Sequence, residues 1–292
     1  MTAEELQIRP ARPQDKAAVV EFTKNIWEGS DYLPKVWDAW LADPRGRLYV
    51  GEVAGTPVAT GRVVLLSPSQ AWLEGLRVDP DYQGRGYARA MHDFTVSAAL
   101  EIPGVERVGL ATSWENEAVH HMSLASGMHR VGDFHYTVAP AAANETPAPD
   151  VFGPEDFAAV RALVAASECA RLAQGHMANG WRFPVLTDAL LAQLLSEGQV
   201  VGYDRAGQPV VLALLGQNKE RADVWVGFLA GSDHTAIRDL GWALRRRAVG
   251  LPDTRVRAML PATLSGYAAF NEAGFGDPDD GEFHVYVFER ER

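Results

Sequence analysis

The segment Gln83-Gly84-Arg85-Gly86-Tyr87-Ala88 carries the clearest chemical signal in the chain. It follows a period-two strand, residues 70–78, through the turn-rich stretch Asp79-Pro80-Asp81-Tyr82. Helical spacing of Ala90, Phe94 and Ala98 then predicts a helix over residues 87–101. Two glycines permit a tight loop whose backbone N–H groups point inward. The helix that starts there adds unpaired N–H groups and the positive end of its dipole. Together these suit an anion such as a pyrophosphate. A plain tight turn accounts for the same glycines. The Gly-Lys-Ser/Thr ending of a P-loop is absent, and Gly-x-Gly-x-Ala is not the GxGxxG of a dinucleotide fold.

The elements that must position this loop alternate between strands and helices. Upstream, the pattern predicts a strand at residues 7–9, helices at 14–27 and 35–41, and a hairpin of 47–53 with 57–66. Downstream come a strand at 107–112, a helix at 115–126 ended by Gly127, and a strand at 128–138. The Ala- and Pro-rich run after it predicts a linker at 141–150, dividing a domain at 1–140 from one at 151–292. The order then repeats, beginning with a helix at 154–169. Gly55-Thr56-Pro57 matches Gly207-Gln208-Pro209, Trp72 matches Trp225, and Gly127-Met128 matches Gly274-Phe275, at shifts of 152, 153 and 147. Near-equal shifts along both halves point to an internal duplication.

Composition narrows the partners. A net charge of −11 over 292 residues argues against a broad nucleic-acid surface, which needs clustered Lys and Arg. The run Arg245-Arg246-Arg247 reads as a solvated helix face. The one cysteine, Cys169, allows neither an internal disulfide nor a CxxC metal site, and reads as a small buried filler. No signal peptide and no membrane span are expected, so a cytoplasmic protein is. A monomer or homodimer without a metal is expected too.

The stretch Val78-Asp79-Pro80-x-x-Gln83-Gly84-x-Gly86-x-Ala88 resembles the acetyl-CoA-binding motif of the GNAT superfamily of N-acetyltransferases. Asn116 with Gly127-Met128 resembles the same family's Asn-x10-Gly-Phe. The resemblance covers about residues 5–138, and the second half resembles the fold without the motifs. It implies two tandem α/β (α+β) domains, each a mixed, mainly antiparallel sheet flanked by helices. It implies acetyl transfer from acetyl-CoA to a primary amine of a small molecule or peptide, by direct attack. Leu76, Arg77 and Val78 would border the pantetheine. Gln83, Gly84, Arg85, Gly86, Tyr87 and Ala88 would hold the pyrophosphate, and Asn116 would flank the arm.

That chemistry needs a neutral amine, whose pKa is ~10.4 when free, so a base must take its proton. Glu74 lies four residues before Val78 and, by period two, shares a face with Trp72. It is the leading base, the alternative being an ion pair with Arg62 on the neighbouring strand. Many relatives place a tyrosine seven residues after the Asn as acid, where this chain has Ser123. Asn116, His120, Ser123 and Gly127 share one helix face, so His120 or Ser123 could serve the leaving thiolate, or form a solvated polar face. Trp27, Tyr32, Trp72 and His135 are the expected walls of the acceptor pocket. Trp37 and Trp40 read better as core.

In the second half, Gly227 stands where Glu74 does and no Gly-x-Gly loop follows Leu229. A degenerate domain without the pyrophosphate loop is expected there. A non-catalytic acyl-CoA-binding or regulatory module is the alternative function.

Overall fold

The computed structural model describes residues 5–24, 26–216, 224–279 and 281–292; the side chains of Trp27 and Glu28 lie outside this description. In chain order the elements begin β1 (Gln7–Pro10), α1 (Lys16–Thr23), α2 (Leu33–Ala42), β2 (Gly46–Val53), β3 (Thr56–Ser67) and β4 (Gln70–Val78). They continue α3 (Tyr87–Leu100), β5 (Arg107–Ser113), α4 (Glu117–Ala125), β6 (His129–Pro140), β7 (Asp150–Val151), α5 (Phe157–Ala166), α6 (Glu168–Leu172) and α7 (Asp188–Ser196). They end β8 (Val200–Arg205), β9 (Gln208–Leu215), β10 (Val224–Gly231), α8 (His234–Arg247), β11 (Arg255–Pro261), α9 (Tyr267–Glu272) and β12 (His284–Glu291).

The chain forms two units. The first runs to Leu110 and adds Glu117–His129 and Phe288–Arg292. Its strands β1, β2, β3 and β4 pair antiparallel in sequence order, and β5 joins β4 in parallel through the crossover helix α3. The chain's last residues lie beside β5, where Arg292 N donates to Glu106 O (2.9 Å). Helix α3 packs on β3 and β4, α1 on β3 and α2 on β2. Val19, Phe22, Leu33, Trp37, Leu48 and Val50 make a core cluster beneath α1 and α2.

The second unit is Ala111–Asn116 with Arg130–Val287. It repeats the order: β7, β8, β9 and β10 pair antiparallel, and β11 joins β10 in parallel. Strand β6 continues the sheet antiparallel to β11. The hairpin turns also match. Ala54-Gly55 (φ 49° and 80°) closes β2–β3, and Ala206-Gly207 (φ 56° and 76°) closes β8–β9. Paired left-handed residues match the twist of the flanking strands.

Four expectations change. The first helix stops at Thr23, with a separate short turn at Ile26–Gly29. The helix expected at 154–169 breaks at Ser167, which turns extended and caps α6 by accepting from Ala170 N (3.1 Å). The run expected as a linker is pinned to the second unit: Ala141 N donates to Thr254 O (2.6 Å) and Asn144 Nδ2 to Trp242 O (3.0 Å). The unit boundary also differs from a single cut near 140, because β6 from Arg130 belongs to the second unit and Phe288–Arg292 to the first. Cys169 is the buried filler expected, its thiol pushed up to about 12 by burial.

One irregularity shapes the first unit. Between the pairs Thr60↔Arg77 and Arg62↔Glu74, β4 spends two residues, Gly75 and Leu76, against the single Gly61 of β3. This is a β-bulge, and it reverses the alternation of faces beyond Glu74. Gly75 sits at φ 71°, and a Cβ there would stand 2.6 Å from Trp40 Cζ3. Left-handed strain costs ~1–2 kcal/mol and overpacking ~1–3 kcal/mol. Gly75→Ala should therefore lower stability by about 2–4 kcal/mol in denaturant titration; an unchanged midpoint would show that neither term operates.

Candidate active site

The Gly84–Gly86 loop has the geometry of an anion cradle. A short 3-10 turn, Pro80–Tyr82, is capped by Asp79, whose carboxylate accepts from Asp81 N (3.0 Å). Gly84 and Gly86 then sit at φ 75° and 83°, and a Cβ on either would meet nothing within 4 Å. Gly86 caps α3 without any side-chain hydrogen bond. α3 thus begins without a capping side chain, beside a loop with room at both glycines, the kind of helix N-terminus that can bind phosphate. Gln83, Gly84, Arg85 and Gly86 are exposed, Ala88 is half-buried, and Tyr87 is buried. The Arg85 guanidinium lies 4.8 Å from the centre of the Tyr82 ring and its Nη2 donates to Asp81 O (3.0 Å).

Strand β4 borders the loop. Its ladder with β5 comprises Gln70↔Arg107, Ala71↔Val108 and Trp72↔Gly109. Past Trp72 the register pairs of β4 are with β3. Leu76 and Arg77 are half-buried and Val78 is buried; Gln83 Nε2 donates to Val78 O (3.4 Å).

The bulge collects two ion-pair networks. Arg62 is fully buried; Nη1 donates to Glu74 Oε1 and Nη2 to Asp43 Oδ2 (2.6 Å). Its guanidinium also lies 4.8 Å from the Trp40 ring centre. Glu74 thus makes the ion pair that was its alternative role. Arg77 Nε donates to Asp31 Oδ2 (2.8 Å), and the guanidinium lies 5.3 Å from the Tyr32 ring centre. Tyr32 meets Trp40 edge-on (5.8 Å) and keeps 39% of its surface exposed.

Trp72 is a correction. It is 1% exposed, and Gly109 makes room for it, since a Cβ there would lie 2.8 Å from the Trp72 ring. It packs the interior and cannot wall an open pocket. Trp37 is core as expected. Trp27 falls in the Ile26–Gly29 turn, and its side chain lies outside the described residues.

Helix α4 holds the candidate acids. Asn116 is exposed in the turn before it, its N–H on Ser113 O (3.0 Å). His120 is half-buried, with its ring 5.6 Å from Phe288. Ser123 is 0% exposed and its Oγ has no hydrogen-bond partner. A residue absent from the sequence argument, His92 of α3, is 2% exposed with Nε2 2.9 Å from Ser126 Oγ. Because that hydroxyl donates to Ser123 O (2.8 Å), Nε2 is the donor, and α3 is tied to α4. A histidine on an otherwise apolar helix face was the signal available for it.

His135 belongs to the second unit, where Nε2 meets Asp277 (2.7 Å). That unit's counterpart of the α3 terminus differs chemically. Asp233 caps α8, accepting from Ala236 N (3.1 Å), and these backbone bonds with Arg205 hold its carboxyl below the usual range. The adjoining cleft of about 460 Å³ is lined by Asp204, Asp233 and Asp239, with Arg205 as its one basic residue.

Burial pushes the His92 imidazole below its ordinary value; Asp93 opposes this and Arg89 adds to it. The unfolded chain then binds more protons than the folded one between that lowered value and ~6.5. Stability should be constant above pH ~6.5 from this group and fall as the pH drops below it. Denaturant titrations at stepped pH should show this fall weakened in His92→Gln; parallel curves would contradict it. Ser123→Ala should leave stability unchanged or raise it by about 1 kcal/mol, since it removes a buried hydroxyl without a partner.

Comparison with known proteins agrees with this geometry. Residues 16–127 match the acetyltransferase (GNAT) family. Histidine N-acetyltransferases of Oreochromis niloticus and Scomber australasicus are 30% and 29% identical over 90 residues. That stretch is 30% of this chain and 27% of either relative, so the match spans about a quarter of their length. The crystal structure of a GCN5-related N-acetyltransferase from Sphaerobacter thermophilus superposes with a TM-score of 0.66 at 13% identity, covering 98% of this chain and 95% of that one. One from Kribbella flavida gives 0.52 at 14%, covering 99% and 71%. These structures share the fold. With the family match over the loop, β4 and α4, residues 16–127 are similar to the GNAT family of acetyltransferases.

Proposed function

We propose that the first unit transfers an acetyl group from acetyl-CoA to a primary amine of a small molecule or peptide by direct attack. The observation that carries this reading is the open loop at Gly84 and Gly86 before the uncapped start of α3. Backbone amides from Gly84 to Ala88 hold the pyrophosphate, and Leu76–Val78 of β4 align the pantetheine arm. Bound acetyl-CoA supplies an activated acetyl thioester.

Within this reading Glu74 takes the amine's proton, and Arg62 fixes its carboxylate while doing so. Tyr32 and Trp40 stand beside the same bulge, and each ring already faces a guanidinium, so these rings are of the type that accepts a cation on its face. Two of the curated relatives are named histidine N-acetyltransferases, which supports an amine acceptor of this class. A thiolate leaving group of pKa ~8.5 departs without a strong acid, so neither Ser123 nor His120 is assigned that role. The net charge of −11 favours approach of a cationic acceptor.

The second unit is proposed as a degenerate copy that does not hold acetyl-CoA. Asp233 occupies the helix terminus where Gly86 leaves one open, and the cleft beside it is anionic. A phosphate would meet repulsion there.

The Arg62–Glu74 ion pair favours a second reading, in which Glu74 is structural and the unit only binds acyl-CoA. Thiol release from acetyl-CoA over a panel of amines separates the two. Loss of a general base typically costs ~10²–10⁴-fold in rate. Glu74→Gln should lose kcat by that factor with CoA affinity retained. Equal rates would remove Glu74 as base, and binding without release under any amine would establish the second reading.

A further inference from the structure

Two imidazoles and a carboxylate converge in the second unit, on residues the acetyl-transfer reading does not use. We infer that His135, Glu282 and His284 form a binding site for a divalent transition-metal ion such as Zn²⁺. Glu282 and His284 are two residues apart at the start of β12, and His135 lies on the neighbouring β6. Tyr136 N donates to Phe283 O (2.9 Å), which fixes this register. One ligand atom from each of the three lies within 4.8 Å of the others.

The arrangement has the parts a metal site needs. His284 Nδ1 meets Asp133 Oδ1 (2.7 Å), which aims Nε2 at Glu282 Oε1 (3.1 Å). A carboxylate on the far nitrogen is the usual way to orient a metal-ligating histidine. His135 also has a carboxylate partner, Asp277, 2.7 Å from Nε2. The two rings are nearly parallel, 13° apart in plane and 5.0 Å between centres. Ligands of a tetrahedral Zn²⁺ at ordinary bond lengths stand about 3.4 Å apart. The His284–Glu282 edge is already close to that span, and a ligand atom of His135 lies within 4.8 Å of both.

The backbone around the site is held. Trp114 N donates to His284 O (3.0 Å), and Tyr267 Oη donates to both His135 O (3.0 Å) and Leu260 O (2.7 Å). The histidine side chains are 17–18% exposed, desolvated in part and still open to an ion. Imidazole with carboxylate suits Zn²⁺, Ni²⁺ or Cu²⁺; Ca²⁺ and Mg²⁺ prefer oxygen sets. Three protein ligands leave a fourth position for water.

The test titrates Zn²⁺ into the tag-free, chelator-treated full chain by calorimetry, with Co²⁺ absorption as a probe of geometry. One saturable Zn²⁺ per chain is expected, with the visible bands of four-coordinate Co²⁺. His135→Ala and His284→Ala should abolish it. Asp133→Asn should weaken it ~10–100-fold, as loss of an orienting partner does. Glu282→Gln changes an exposed side chain and so tests the site without disturbing the fold. His121→Ala, exposed on α4, should bind as the unaltered chain does. No saturable binding in the unaltered chain, or affinity unchanged in both His135→Ala and Glu282→Gln, would overturn the assignment.

Discussion

The left-handed backbone of Gly75 is the constraint on which the first unit's chemistry depends. It lets β4 carry one more residue than β3 across from it. Trp40 fills the space that any side chain at this position would need. The extra residue reverses the alternation of faces, so Glu74 and Arg77 do not follow one period-two pattern. Each carboxylate–guanidinium set closes on its own partner: Arg62 with Glu74 and Asp43, Arg77 with Asp31. A buried guanidinium tolerates its burial when it is paired on more than one side. Arg62 meets that condition with two carboxylates and the Trp40 ring.

The two units differ in how one helix begins. α3 and α8 both follow the fourth strand of an antiparallel set and both lead to a parallel strand. α3 begins at a glycine without a capping side chain, and α8 begins at an aspartate that caps it. The helix dipole is the same at both. At α8 its positive end is already answered by a carboxylate, and at α3 by no capping side chain.

How much was legible in the sequence follows from the range of the interactions. The Gly84–Gly86 loop and the Ala-Gly hairpin turns are local, and residue type alone marked them. Arg62 could be named as a partner of Glu74 because they sit on adjacent hairpin strands. Trp72 was misread as a pocket wall because period two gives a face but not what covers it; Gly109, 37 positions away, receives the ring. The bulge itself was hidden, since one glycine in a strand carries no count of the residues opposite. The unit boundary was hidden for a similar reason. β6 pairs with β11, and the chain's end with β5, choices made over more than a hundred residues. His92 and the His135–His284 pair likewise depend on neighbours distant in sequence.

Calorimetric titration of CoA into the full chain and into Gly86→Val tests the central claim most directly. A Cβ at Gly86 meets no atom of the described residues within 4 Å, so the substitution strains the backbone and fills the cradle. The account predicts saturable one-to-one binding to the unaltered chain and its loss in Gly86→Val, with the folded state retained by circular dichroism. No binding to the unaltered chain, or equal affinity in the variant, would contradict it.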